Sequence, residues 1–182
     1  IVYTMSQGGK RIRPVMVLLA CDLFGGNVDK ALPAAAGIEV FHNFTLVHDD
    51  IMDKAPIRRG KETVYQKWNT NVAILSGDTM FAKAYEYLLE LENPKLKDVL
   101  KIFTQTAIDV CEGQQWDMNF ESQEKVLLTD YIAMIRLKTA ALNPFDTTID
   151  IMTSIGSVYR FQFNGDFYDK YNVPDTRAVH YI

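Results

Sequence analysis

Apolar residues recur along most of this chain at the spacing of amphipathic α-helices, with glycine, asparagine and proline in the gaps. The pattern predicts five helices, over residues 15–24, 31–53, 71–92, 96–120 and 129–142. Pro14 suits the first position of the first helix, and Thr129 is a fair N-cap for the last. No pair of segments carries a hairpin signal, so the predicted fold class is all-α, a single helical bundle.

The composition is that of an ordinary protein, and we expect residues 1–182 to form one domain. Apolar residues make up 48% and charged residues 23%, and no apolar run reaches the roughly 18 residues that a transmembrane helix needs. A net charge of −4 without a long basic stripe argues against nucleic acid as a partner. Cys21 and Cys111 lie in apolar helical stretches and lack metal-ligand spacing, which favours buried, reduced thiols in a cytoplasmic protein.

Three carboxylates stand at the end of the second predicted helix, at Asp49, Asp50 and Asp53. Asp49 and Asp53 are four residues apart and share a helix face, with Asp50 beside them. Carboxylates this crowded repel one another unless cations bridge them, and hard oxygen ligands suit Mg²⁺ shared with a substrate phosphate. A solvated acidic helix end is the alternative that such a short motif leaves open.

Basic residues flank this acidic helix end in turns marked by glycine or proline. They are Lys10, Arg11, Arg13, Arg58 and Arg59. Guanidinium forks suit phosphate oxygens, and lysine adds a mobile point charge. In a chain of net negative charge this placement predicts the binding of a polyanion such as a diphosphate, although each basic turn taken alone could simply be exposed.

Five linked motifs carry a resemblance to a known family. They are Gly8-Gly9-Lys10-Arg11-Ile12-Arg13-Pro14, the run from Phe41 to Asp53, Arg58-Arg59-Gly60, Glu112-Gly113-Gln114-Gln115-Trp116-Asp117 and Met134-Ile135-Arg136-Leu137-Lys138-Thr139. Over about residues 6–142 the chain resembles the trans-isoprenyl diphosphate synthases, and five motifs in order are far more specific than one. The resemblance implies the isoprenoid synthase fold, an antiparallel helical bundle around a central cavity, and a homodimer.

The resemblance also implies a Mg²⁺-dependent prenyltransferase that condenses isopentenyl diphosphate with an allylic diphosphate. It implies three Mg²⁺ ions per active site, with Mn²⁺ as an alternative ion. The residues carried over as metal ligands are Asp49, Asp53, Asp117, Asp166 and Asp169. Those carried over as catalytic are Asp49, Asp50, Asp53, Arg58, Lys138 and Thr139. Those carried over for substrate binding are Lys10, Arg13, His42, Arg58, Arg59, Gln114 and Gln162, and the resemblance assigns Lys10, Arg13, His42 and Arg59 to isopentenyl diphosphate.

Helix geometry bears on His42 independently of the resemblance. On an ideal helix His42, Thr45 and Asp49 lie within about 60° of one another, so the histidine shares a face with the acidic cluster. A core histidine hydrogen-bonded to a neighbouring helix is the alternative. Lys138 has an alternative as well, as a helix C-terminal lysine that complements the helix dipole.

Product length is expected to depend on Phe44 and Thr45, which the resemblance places at the floor of a chain-elongation tunnel. Each added isoprene unit needs buried volume that a close-packed interior does not yield, so the bulky Phe44 predicts a product of about C15 to C20. Ideal geometry puts Phe44 about 140° from Asp49, so this prediction depends on how the helices pack.

The second half departs from the family pattern. The family's second Asp-rich motif aligns with residues 155–169, where Gly165 replaces the first acidic residue and Asp166 and Asp169 remain on one face. Two solvated aspartates at a helix end are the alternative reading of these residues. We expect the chain to be incomplete at its termini, and to be shortened or to lack residues between about 142 and 155.

Two functions of different classes therefore stay open. An active prenyltransferase is favoured because every group needed for the isopentenyl site is present. The alternative is a catalytically inactive homologue that binds prenyl diphosphates and acts as a regulatory subunit. A class I terpene cyclase is more distant, because such enzymes use an Asp-rich helix without needing the turn at residues 8–14 to bind a second diphosphate.

Overall fold

The computed structural model describes residues 1–140. In this part of the chain the elements are α1 (Val2–Met5), α2 (Ile12–Leu23), α3 (Val28–Met52), β1 (Ile57–Arg58), β2 (Lys61–Glu62), α4 (Val64–Lys67), α5 (Thr70–Leu89), α6 (Leu96–Phe120), α7 (Leu128–Ile135) and a π-helical segment (Arg136–Ala140). The prediction of an all-α bundle is confirmed. The predictions for Gln162, Gly165, Asp166 and Asp169, and for the chain between 142 and 155, lie outside the described residues.

The longest helices begin and end close to the predicted positions, because their signals are local. α3 starts at Val28, where the Asn27 side chain accepts hydrogen bonds from the backbone N–H groups of Asp29 (2.9 Å) and Lys30 (3.4 Å). α6 has the predicted bounds, and α5 ends at Leu89, three residues before the prediction. α3 packs mainly against α2 and α5 and is buried on most of its circumference, so it forms the centre of the described fold.

The predicted starts of α2 and α7 are wrong, by three residues and by one residue. α2 begins at Ile12, so Pro14 occupies the third helical position, where its missing N–H is also harmless. α7 begins at Leu128 after the extended residue Leu127, whose carbonyl accepts hydrogen bonds from the N–H groups of Asp130 and Tyr131. Thr129 is therefore inside the helix and is not its N-cap, and its hydroxyl bonds to the Asp130 carboxylate (3.4 Å).

The expectation of no hairpin is also wrong, because a two-residue hairpin follows α3. β1 and β2 pair antiparallel, with Arg58 opposite Lys61. The turn residues Arg59 and Gly60 both have positive φ, 53° and 76°, which is the requirement of a type I′ turn. An arginine rarely adopts this conformation, so the sequence carries no recognisable turn signal. The hairpin presents Arg58 and Arg59 beside the end of α3.

A cluster of aromatic rings forms the core between α3, α5 and α6. Phe41 contacts Phe44, Phe81 and Phe103 at centroid distances of 5.4, 5.9 and 5.0 Å, and Tyr85 joins Phe81 to Phe103. Such ring pairs add to the hydrophobic stabilisation from burial alone. Phe41 and Phe44 of this cluster lie on α3, the helix that also carries Asp49 and Asp50. Within residues 1–140, no helix combines the length and hydropathy needed to cross a membrane.

Candidate active site

A cavity of about 350 Å³ lies between α2, α3, α6 and the π-helical segment. Its lining combines predicted site residues with other, mostly apolar, side chains. The predicted residues are Arg13, His42, Phe44, Thr45, Asp49, Gln114, Lys138 and Thr139, and the others are Leu46, His48, Met52, Val110, Cys111, Gln115 and Met118. We call it the acidic cavity, after Asp49 at its polar end. His42, Thr45 and Asp49 share the lining, in agreement with their predicted common face.

Lys138 lies between two carboxylates at the polar end of the acidic cavity. Its ammonium group donates a hydrogen bond to Asp117 and lies 3.6 Å from Asp49. Burial lowers the pKa of Lys138, but the Asp117 hydrogen bond and the charges of Asp49, Asp117 and Asp53 outweigh it, so the net pKa is raised. Lys138 is therefore protonated at neutral pH. Asp117, predicted as a metal ligand, is occupied by this ion pair in the structure.

A close helix contact places Lys138 there. A Cβ on Gly113 of α6 would lie 2.3 Å from the backbone nitrogen of Lys138 and 2.7 Å from its Cα. Only glycine allows the two backbones to approach this closely. The residues after Ile135 adopt a π-helical turn, a distortion often found at functional sites, and this turn carries Lys138 and Thr139 into the cavity lining.

Asp49 and Asp53 supply two carboxylates at the mouth of the cavity. Asp53 is the exposed C-cap of α3, and burial, followed by the charge of Asp49, raises its pKa. Within residues 1–140 no three groups are placed to hold a metal ion by themselves. Two carboxylates with open space beside them nevertheless match Mg²⁺, which usually takes one or two protein carboxylates and completes its shell with water and substrate phosphate.

Asp50 faces away from both large cavities. It is 4% exposed and accepts a 2.6 Å hydrogen bond from Arg58 Nε, while Arg58 Nη2 lies 3.5 Å from Asp49. Burial raises the pKa of Asp50, and the hydrogen bond and charge of Arg58 oppose that rise. Asp50, predicted as catalytic, is thus the anchor of Arg58, and Arg58 bridges the first two aspartates of the cluster.

A second cavity, of about 510 Å³, lies beside the acidic one, and we call it the basic cavity. Its lining includes the four residues that the resemblance assigns to isopentenyl diphosphate. They are Lys10, Arg13, His42 and Arg59, and the other lining residues are Gln7, Gly9, Arg11, Ile12 and Glu39. Within residues 1–140 no carboxylate lies within ion-pair distance of Lys10, Arg13 or Arg59. Arg59 instead donates to the carbonyl of Gly8, which joins the hairpin to the basic turn.

Arg13 and His42 line both cavities and form the partition between them. Arg13 Nη1 lies 3.3 Å from His42 Nε2, and Arg13 Nε is buried without a hydrogen-bond partner in the described part of the chain. Burial, and then the charge of Arg13, lowers the pKa of His42 to about 4, with smaller contributions from Arg59 and Arg58. His42 is therefore a neutral group at pH 7, able to donate or accept one hydrogen bond.

The apolar end of the acidic cavity is closed by Phe44, which is 9% exposed. Its ring packs against Phe41, Phe81 and the imidazole of His48, with centroids 5.4, 5.1 and 4.9 Å away. His48 lies against Gly77 of α5, where a Cβ would come within 2.2 Å of Nε2. Although ideal geometry puts Phe44 and Asp49 on different sides of α3, helix packing brings both to the same cavity.

Several residues of the site escaped the sequence analysis. Cys111 was expected to be buried, but it is exposed and lines the acidic cavity, so that expectation is wrong. His48, Met52, Gln115 and Met118 also line it, without any polar pattern that could have singled them out. Glu39 in the basic cavity did leave a signal, because it is a charge within an otherwise apolar run from Ala34 to Val40.

The structure thus defines a class of protein by its architecture. It is an all-α bundle in which an acidic cavity with an apolar end adjoins a basic cavity. Residues 1–169 match the family model for polyprenyl synthetase, and the chain belongs to this family.

Similar proteins agree with this membership. The chain is 46% identical over 143 residues to a geranylgeranyl diphosphate synthase of Methanosarcina mazei, covering 77% of this chain and 44% of that protein. It is 46% identical over 141 residues to a short chain isoprenyl diphosphate synthase of Methanocaldococcus jannaschii, covering 77% and 43%. The crystal structure of a geranylgeranyl pyrophosphate synthetase from Pyrococcus horikoshii aligns with a TM-score of 0.79 and 42% identity, covering 84% of this chain and 46% of that one. The chain thus spans less than half the length of these relatives.

Proposed function

We propose that the protein is a Mg²⁺-dependent trans-prenyltransferase that joins isopentenyl diphosphate to an allylic diphosphate. The observation that carries this proposal is the partition formed by Arg13 and His42, with an acidic cavity on one side and a basic cavity on the other. A reaction between two diphosphates needs two anion sites whose hydrocarbon ends meet, and cavities sharing a wall meet this need.

The allylic diphosphate belongs in the acidic cavity. Its hydrocarbon tail would extend towards Phe44, and its diphosphate would lie near Asp49, Asp53 and Lys138. Mg²⁺ held by the two aspartates would neutralise charge on the leaving diphosphate. The protonated Lys138 would stabilise the same negative charge. Arg58, which lies beside Asp49, would contribute a further positive charge.

The roles of four other predicted residues follow from their positions. Asp117 orients Lys138 and Asp50 holds Arg58. Thr139 and Gln114 line the cavity, where they would lie next to the reacting end of the substrate. We therefore assign Asp117 and Asp50 as positioning residues. Gln162, Asp166 and Asp169 stay in the proposal on the resemblance alone, as the second metal-binding and diphosphate-binding segment.

Isopentenyl diphosphate belongs in the basic cavity. Its diphosphate would pair with Lys10, Arg13 and Arg59, which have no carboxylate partners in the described residues, and the buried Nε of Arg13 supplies an unused donor. The allylic carbon–oxygen bond breaks and diphosphate leaves; the isopentenyl double bond then attacks the allylic cation to form a carbon–carbon bond. Loss of a proton to the departed diphosphate restores the double bond.

We propose a product of about C20, the upper end of the predicted range, since Phe44 closes the apolar end of the cavity with its ring held by Phe41, Phe81 and His48. The names of relatives such as the geranylgeranyl and geranylfarnesyl diphosphate synthases support a product of this size or one unit more. We propose that the intact protein forms a homodimer, which its mass in solution would test.

The decisive assay mixes purified protein with Mg²⁺, isopentenyl diphosphate and one of three allylic primers of increasing length, and sizes the products by chromatography. We expect elongation, abolished by EDTA and restored by Mg²⁺ or Mn²⁺. Asp49→Ala should lower kcat by about a thousandfold or more, since it removes a ligand for the charge on the leaving group. Failure to elongate any primer would favour the inactive, diphosphate-binding homologue.

A further inference from the structure

Glu39 is a buried carboxylate in the wall of the basic cavity. It is 7% exposed, and its Oε1 accepts hydrogen bonds from Arg11 Nη1 and from Asn43 Nδ2 (2.9 Å). Burial lowers the pKa values of Arg13 and His42, and the charge of Glu39 partly offsets that lowering. A buried acid beside groups that should bind an anion is unfavourable for that anion by charge alone. Its presence there calls for another role.

Arg11 lines the basic cavity, but its guanidinium group is engaged in hydrogen bonds within the protein. Besides Glu39 it donates a 2.6 Å hydrogen bond from Nη2 to the carbonyl of Met5. Its backbone is left-handed, with φ 50°, a conformation that costs free energy for a residue other than glycine or asparagine and persists only where the surroundings impose it. The ion pair with Glu39 is one of the contacts that hold Arg11 in place, and it is a charge-assisted hydrogen bond whose partners are both partly withdrawn from water.

The strained residue lies between two proposed ligands of the isopentenyl diphosphate. Lys10 precedes Arg11, and Arg13 follows two residues later at the start of α2. The backbone conformation of Arg11 therefore determines how Lys10 and Arg13 are placed relative to each other and to α3. Glu39 and His42 lie about one turn apart on α3.

We propose that Glu39 is a positioning residue for the diphosphate of the isopentenyl substrate, acting through Arg11 to fix the turn that carries Lys10 and Arg13. This rests on the proposed function only in naming that substrate. Asn43 completes the arrangement, since its amide also donates to the backbone carbonyl of Glu39 (2.8 Å) and keeps the carboxylate in one rotamer.

A positioning role and a purely electrostatic role of Glu39 predict opposite effects of Glu39→Gln on the affinity for an anion. Glu39→Gln removes a negative charge near Lys10 and Arg13, so charge alone would strengthen anion binding. If Glu39 holds the turn, the variant should bind more weakly, because Arg11 loses its charged partner and the two cations lose their fixed spacing. A misplacement of about 1 Å can cost about a hundredfold in a process that depends on orientation.

The test measures the binding of inorganic pyrophosphate by calorimetry, in EDTA so that only the basic cavity is probed, together with steady-state kinetics in Mg²⁺. We expect Glu39→Gln to raise the Kd for pyrophosphate and the KM for isopentenyl diphosphate by about tenfold or more, with the KM for the allylic primer and kcat within a few-fold. Glu39→Asp should recover part of the loss. Glu86→Gln, the same chemical change at an exposed ion pair on α5, is the matched control and should leave all values unchanged.

A second variant covers the case in which Glu39→Gln does not fold. Arg11→Met with Glu39→Met replaces the ion pair by apolar side chains, an exchange that proteins often tolerate, and leaves the net charge unchanged. Weaker pyrophosphate binding in this variant supports the proposal. Unchanged or tighter binding in either folded variant, or no pyrophosphate binding by the wild type, overturns it. The two proposals can fail separately. If the wild type elongates no primer but the variants bind pyrophosphate more weakly than the wild type does, the prenyltransferase function is refuted and the role of Glu39 stands.

Discussion

Gly113 of α6 lies directly against the backbone of Lys138, so that a Cβ at position 113 would come within 2.3 Å of the Lys138 nitrogen. This contact lets the π-helical turn approach α6 closely enough for Lys138 to reach Asp117 and Asp49. The position of a charged group is thus decided by the absence of a side chain on another helix.

Gly113→Ala should therefore displace Lys138 and lower activity. The inserted methyl overlaps backbone atoms that cannot rotate away, so we expect a loss of about 1–3 kcal/mol in the free energy of unfolding and a fall in kcat. Chemical denaturation and the elongation assay measure the two effects. Glu112→Ala, at the exposed neighbouring position, is the control, and a Gly113→Ala variant with wild-type kcat would contradict the positioning of Lys138 by this contact.

Asp50→Asn should lower the free energy of unfolding more than Asp53→Asn does. It replaces the charged acceptor of the partly buried Arg58 Nε by a neutral amide, and weakening such a charge-assisted hydrogen bond costs about 1–3 kcal/mol. Asp53→Asn, at the exposed C-cap, should change stability by less than about 1 kcal/mol. Denaturation in EDTA compares the two variants without any contribution from Mg²⁺; equal losses would argue against Asp50 as the anchor of Arg58.

Phe44→Ala should lengthen the product. Removal of the ring opens the apolar end of the acidic cavity towards Phe81, which gives the growing chain room for at least one more isoprene unit. The substitution should also cost about 3–5 kcal/mol in stability, as other large-to-small changes in cores do. Phe24→Ala, at the far end of α2, controls for the loss of a phenyl ring elsewhere. An unchanged product distribution would remove Phe44 from the control of chain length.

The low pKa of His42 makes stability depend on pH with a defined sign. The folded protein holds His42 neutral down to about pH 4, whereas the unfolded chain takes up a proton near pH 6.5, so stability is present above 6.5 and is lost as the pH falls towards 4. Between pH 7 and 4.5 the wild type should lose roughly 2 kcal/mol more than His42→Gln, which cannot titrate. Denaturation at several pH values measures the difference, and parallel curves for the two proteins would contradict a buried, neutral His42.

The sequence by itself determined the all-α class, the long helices and the face shared by His42, Thr45 and Asp49. Helix caps, proline positions and the 3.6-residue period act between residues near in the chain, so their effects can be read without knowing the fold. The grouping of Lys10, Arg13, His42 and Arg59 was reached through motif resemblance, and the structure places all four around one cavity.

Only the packed fold shows which of the basic residues in the described part of the chain pair with carboxylates and which do not. Arg11 and Arg58 read like Lys10 and Arg59, yet the first pair binds the buried carboxylates of Glu39 and Asp50. Likewise, Phe44 reaches the acidic cavity through the packing of α5 and α6 beside α3, and the π-helical turn lies where Leu137 and Lys138 contact Gly113 of α6. These outcomes depend on contacts between residues that are distant in the chain. A charged side chain can be buried only where the packed helices bring a partner next to it, and otherwise it stays in solvent.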